Sequence, residues 1–203
     1  MKGYPNEVAM YLKINLLLIA LSVPLSFLLP QSLAFENGVI ENLQVAVLIF
    51  SAALNLKWSL KAENFSAKWF HRFCAALIFL FVLRELSYGR VFFQTGILPT
   101  GEPTFIMMKD FPYCRQIYIF LTIYILALVI MLLKFIPLKK MLFTKKPVAA
   151  LIVMSVAILF SQIGEHGFFT GGEFMEEFNE LIAYMTFPKI CSCYNEFFKQ
   201  DTA

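Results

Sequence analysis

The chain has 203 residues, 59% of them hydrophobic and 15% charged, with a net charge of +3. Soluble domains carry about 25% charged residues, and a water-soluble fold of this size would expose much of its apolar surface, 23 Phe included. The balance excludes an ordinary soluble enzyme, and lysines interleaved with apolar runs rather than gathered into one basic patch exclude a nucleic-acid-binding protein.

Apolar stretches lie at 14–29, 39–56, 73–83, 117–135 and 148–163. A helix needs roughly 20 residues to cross about 30 Å of hydrocarbon, so spans are expected over about 12–31, 39–57, 70–93, 115–136 and 147–165. The first is followed by Ser32-Leu33-Ala34, which has the small-residue pattern of a signal-peptidase site, although Pro24 and Pro30 interrupt the preceding stretch. The third stretch is too short by itself. Extending its helix to Phe93 completes a span but draws Arg84, Glu85, Tyr88 and Arg90 into it, with Arg84 and Glu85 well below the surface. Residues 94–114, rich in Gly and Pro, read as an outer loop. Gly164, Gly167, Gly171 and Gly172 then break the chain ahead of an amphipathic helix over about 173–187. In that helix Glu173, Glu177, Glu180 and Tyr184 share one face, and Phe174, Phe178, Leu181 and Met185 the other. The expected fold is a single domain over 1–203, an all-α integral membrane protein: a bundle of about five transmembrane helices plus a C-terminal amphipathic interfacial helix.

Lys and Arg beside the spans are retained on the cytoplasmic side. With five spans, the N-terminal segment and the second and fourth connections hold eleven of the seventeen basic residues and only two acids, Glu7 and Glu63. The N-terminus is therefore expected inside and the C-terminus outside, in a bacterial inner membrane. Lys139, Lys140, Lys145 and Lys146 act first as topology determinants. His71, between Trp69 and Arg72, reads as part of an interfacial anchor.

The outer ends of the spans gather the candidate chemistry. Glu36, Glu41 and Gln44 start the second, Arg84, Glu85, Tyr88 and Arg90 end the third, and Glu165 and His166 end the fifth. Glu173, Glu176, Glu177 and Glu180 follow on the last helix. Ionisable residues inside a membrane pair, bind or relay. Arg84, Glu85, Tyr88, Glu41, Gln44, Glu165, His166, Glu177 and Glu180 are thus the expected ligand-binding set. Arg84 offers a planar fork for a carboxylate or phosphate. One function is binding of a ligand, ion or protein partner. A second is a hydrolase or transferase acting on a lipid-linked or periplasmic substrate, with Glu85 or Glu177 as base and His166 as acid. A third is a sensor or scaffold subunit, and an ion-pair network that only fixes helix packing competes with all three. No cofactor is expected. The open metal set is a divalent ion at His166, Glu165 and Glu177. Expected partners are the bilayer and either further copies of the chain or a larger membrane complex.

Four cysteines lack CxxC spacing. Cys114 is placed to pair with Cys191 or Cys193 if all three lie outside.

The run Leu83-Arg84-Glu85-Leu86-Ser87-Tyr88-Gly89-Arg90-Val91-Phe92-Phe93, with Glu176-Glu177 and Glu180, resembles small bacterial multi-pass inner-membrane proteins of no assigned function. That resemblance implies a helical membrane fold and supplies no mechanism. Membrane metal hydrolases such as alkaline ceramidases and adiponectin-type receptors are similar in gathering metal ligands at one end of a bundle. Their seven spans and paired histidines are missing from this sequence.

Overall fold

The computed structural model of the protein describes residues 4–142, 147–166 and 171–200. Lys145, Lys146 and Gly167 of the sequence reading lie outside them. The fold is all-α, with α1 (Tyr4–Leu28), α2 (Val39–Lys61), α3 (Phe65–Glu85), α4 (Cys114–Phe135), the short α5 (Leu138–Leu142), α6 (Val148–Glu165) and α7 (Gly172–Gln200). The expected loop 94–114 contains an antiparallel hairpin, β1 (Gln94–Ile97) and β2 (Pro103–Phe105). Among the described residues, five helices are long and apolar enough to cross a membrane: Ala9–Leu28, Val39–Lys61, Phe65–Glu85, Cys114–Phe135 and Val148–Glu165.

The third of these departs from expectation in register. Asn64 starts α3, its Oδ1 accepting from the N–H groups of Ser66 at 2.8 Å and Ala67 at 3.3 Å. Past Glu85 the backbone turns left-handed, with φ of 43° at Ser87, 55° at Tyr88 and 93° at Gly89, so the helix cannot continue to Phe93. Its 21 residues extend about 32 Å without Tyr88 or Arg90. Arg84 and Glu85 therefore occupy the last turn rather than the interior of a longer span.

The chain forms two compact units. The first comprises residues 1–47 and 145–190. In it Ile19, Val153, Ala157, Ile182 and Ala183 form one buried cluster of α1, α6 and α7. Ala34, Ile40, Phe174 and Leu181 form a second, so the turn after α1 is packed against the start of α7. The close approach of α6 to α7 depends on glycine. A Cβ on Gly164 would stand 2.6 Å from the Gly172 carbonyl oxygen and 2.7 Å from the Glu176 nitrogen, as at small-residue membrane helix contacts.

The second unit comprises residues 48–144 and 191–203. Here α3 and α4 run antiparallel. Trp69 stacks on Phe135 with centroids 4.3 Å apart, and further along Tyr124 Oη donates to the Ala76 carbonyl at 2.8 Å. Arg72 covers the open face of Trp69, 5.0 Å from its centroid. Ala67, Phe70, Cys74, Ile136, Met141, Cys191 and Phe198 make its core. The cysteine expectation changes accordingly. All four are free thiols, and Cys191 meets Cys74 on α3, not Cys114.

The C-terminal helix is longer than expected and more deeply packed. Over residues 172–190 only Glu173 and Met185 are exposed, while Phe174, Met175, Asn179, Leu181, Ile182, Ala183, Tyr184 and Thr186 are buried. A helix resting on a surface by one apolar face would keep its polar face open. This one is enclosed on nearly all sides.

Candidate functional site

In the first unit the face of α7 that carries Glu177, Glu180 and Tyr184 turns toward α2 and α6. Gln44, one turn into α2 and fully buried, donates through Nε2 to the Glu177 carboxylate at 2.8 Å and to the Glu177 carbonyl at 2.8 Å. Ser161 of α6 donates to Glu180 Oε1 at 3.5 Å, and Tyr184 Oη to Glu180 Oε2 at 3.4 Å. Helical spacing makes this seam. Residues 177, 180 and 184 recur at three and four positions and so stack along one stripe.

Two buried acceptors are left over. Gln44 Oε1 has no hydrogen-bond partner, nor does Oδ1 of the fully buried Asn179. The Nδ2 of Asn179 donates to Ser22 Oγ at 2.8 Å and to the Met175 carbonyl at 2.7 Å. An unsatisfied buried amide oxygen costs about 1–3 kcal/mol. Such a cost is ordinarily offset by water, an ion or a ligand.

The other expected residues of this unit are placed differently. Glu41 accepts from the Asn37 backbone N–H, capping the start of α2. Glu165 and His166 are exposed at the end of α6, where Gln162 Nε2 donates to Glu165 at 2.7 Å and the His166 N–H to the Gln162 carbonyl at 3.3 Å. The proposed metal set thus divides: Glu165 and His166 on the open end of α6, Glu177 in the seam.

Arg84, Glu85 and Tyr88 belong to the second unit. Arg84 Nη1 lies 3.5 Å from Glu85 Oε1, but the two side chains differ sharply, 49% and 5% exposed. Only Glu85 is buried. Tyr88 lies half-buried in the left-handed turn, and Arg90 Nε donates to the Ile106 carbonyl at 2.7 Å, tying that turn to the chain after β2.

His71 was read as an anchor and is instead interior, fully buried. Its Nδ1 lies 3.0 Å from Asn55 Oδ1. Nε2 has no partner of good geometry, with Asn195 beside the ring. Trp58 at 5.4 Å and Phe70 at 5.2 Å flank the imidazole. Nearby, Trp58, Lys61, Asn64, Ala67, Asn195 and Phe198 line a cavity of about 290 Å³. Sequence reasoning missed this group. One signal was available: Asn55 and His71 are polar residues within helices apolar enough to cross a membrane.

Compared with protein-family models, with curated proteins and with solved structures, the chain matches none. Its five long apolar helices define it as a multi-pass helical membrane protein.

Proposed function

We propose that the protein is a membrane-embedded binding protein whose ligand occupies the Gln44, Glu177 and Glu180 seam of the first unit. One observation carries the reading: Gln44 is fully buried, spends its amide donor on Glu177 and keeps Oε1 without a partner. The bare Gln44 Oε1 is an acceptor, so the fitting ligand presents an N–H or O–H donor to it, as an ammonium, amide or polyol does. The basic residues at the N-terminus, in the second connection and around α5 support a cytoplasmic N-terminus. Gln44, near the start of α2, then belongs to the outward half.

Native mass spectrometry of the protein released from its own membrane tests the reading. A donor-bearing adduct is expected on the wild type and is expected to be lost in Gln44→Leu, which keeps the side-chain volume. A wild-type spectrum with no adduct other than phospholipid ends it, as does an adduct of equal occupancy on the variant.

A further inference from the structure

The contacts of α7 within the first unit follow a strict order. Its start lies at Ser26, where the backbone of Gly171 makes close contact, and at Gly164 of α6. Asn179 then reaches Ser22, and Glu180 reaches Ser161. Ile182 and Ala183 pack with Ile19, Val153 and Ala157. Finally Lys189 Nζ stands 5.9 Å from the ring centroid of Tyr11. Each step forward along α7 is a step back along α1, from Ser26 through Ser22 and Ile19 to Tyr11. Those α1 residues lie within the apolar span Ala9–Leu28. From Gly172 to Ile190 the helix extends roughly 28 Å, close to the thickness of the hydrocarbon core.

A helix lying in the interface would touch α1 and α6 at one end only. This one accompanies α1 for nearly its whole apolar length. Its composition does not oppose passage through the bilayer, because its polar groups meet protein: Asn179 meets Ser22, Glu177 meets Gln44 and Glu180 meets Ser161. Pro188 is accommodated within the continuous helix, as prolines in packed membrane helices are.

We infer that α7 is a sixth membrane-crossing helix, shielded from lipid by its neighbours, which returns the C-terminus to the side of the N-terminus and sets Glu177 and Glu180 inside the bilayer. At 1.5 Å per residue the two carboxylates lie about 8 and 12 Å along the helix from Gly172. The charge distribution improves with this topology. Lys189 and Lys199 join the eleven basic residues already assigned to the N-terminal side, leaving Arg84, Arg90, Lys109 and Arg115 opposite. Cys191 and Cys193 come to the N-terminal side as well, opposite Cys114, which agrees with their remaining thiols. The inference rests on the contacts of α7 and not on the ligand reading.

The test uses the full chain with one epitope tag at each end, probed by protease in right-side-out spheroplasts and in inverted vesicles. Both tags are expected to be protected in spheroplasts and cut in inverted vesicles. Tags cut in opposite preparations overturn the inference. A separate measurement covers tags that disturb assembly. Untagged protein in native membranes is treated with a hydrophobic carbodiimide or a membrane-impermeant, water-soluble one, then mapped by peptide mass. Modification of Glu177 or Glu180 by the hydrophobic reagent alone supports an intramembrane position, whereas modification by the water-soluble reagent overturns it. Either failure leaves the Gln44→Leu adduct test standing, so the two readings fall separately.

Discussion

Helices α4 and α7 are both long, 22 and 29 residues, and their relations between polarity and burial are opposite. Helix α4 has a mean hydropathy of 2.5, the highest of the five apolar spans, yet only Leu128 along it is buried. Helix α7 carries Glu173, Glu176, Glu177, Asn179 and Glu180 within its first nine residues, and most of its residues over 172–190 are enclosed. In water the apolar helix would be the buried one. In a bilayer apolarity is what lipid requires, and the interior is free to hold hydrogen-bonding groups provided they find one another.

Putting a charge on α4 should have the largest effect. Leu126, mid-helix and 57% exposed, substituted by Arg should disfavour insertion by about 2.5–3.5 kcal/mol. The fraction of full-length protein recovered from the membrane should fall at least tenfold, and unchanged recovery would show that this face is not against lipid.

Next comes the glycine contact that lets α7 approach α6. Gly164→Ala puts a methyl group into the Gly172 and Glu176 backbone, and overpacking of this kind costs about 1–3 kcal/mol. The thermal midpoint in detergent should drop by several degrees. An unaltered midpoint would mean that the two helices separate at no cost, and the packing described for α7 would be wrong.

Asn179→Leu removes the bond to Ser22 and should cost about 0.6–1.7 kcal/mol, the range of interhelical hydrogen bonds in membranes. If Ser22→Ala is equally destabilising and the double variant no worse than either alone, the bond is real. Strict additivity in that cycle would refute it.

Two milder changes on α4 sharpen the contrast. Tyr124→Phe should cost roughly 0.6 kcal/mol by losing its bond to the Ala76 carbonyl. Leu133→Ala, at a side chain 70% exposed, should change stability by less than about 0.5 kcal/mol. A Leu133→Ala loss as large as that of a core leucine, about 2–5 kcal/mol, would reveal a covered face.

The five apolar helices were legible because length and hydropathy are what a lipid-facing span requires. The third was found but misregistered. The expected span, about 70–93, began too late because Asn64 supplies the cap and Lys68 lies in the first turn of α3. Nothing in the residue types at 87–89 announced the left-handed turn except Gly89, and Ser87 and Tyr88 adopt it too. For α7 the polar stripe of Glu177, Glu180 and Tyr184 was visible in the spacing, but periodicity does not say whether a stripe meets water or Gln44. His71 was misread because Trp-x-His-Arg at a span's start suits an interface anchor as well as a buried imidazole.

The bond between Asn179 and Ser22 joins residues 157 positions apart. Contacts of such long range form late in folding, because the intervening chain must be closed first. At synthesis rates of about 5–20 residues per second, roughly 8 to 30 s separate the appearance of the two partners. Throughout that interval the α7-facing side of α1 has no helix to pack against. A chain cut short before α7 would keep all five apolar helices and still leave Ser22 and Gln44 without their α7 partners and Ile19 with only its α6 neighbours. Helix α7 is therefore the one that completes the first unit, and proteolytic sensitivity of nascent or truncated chains should end only when it docks.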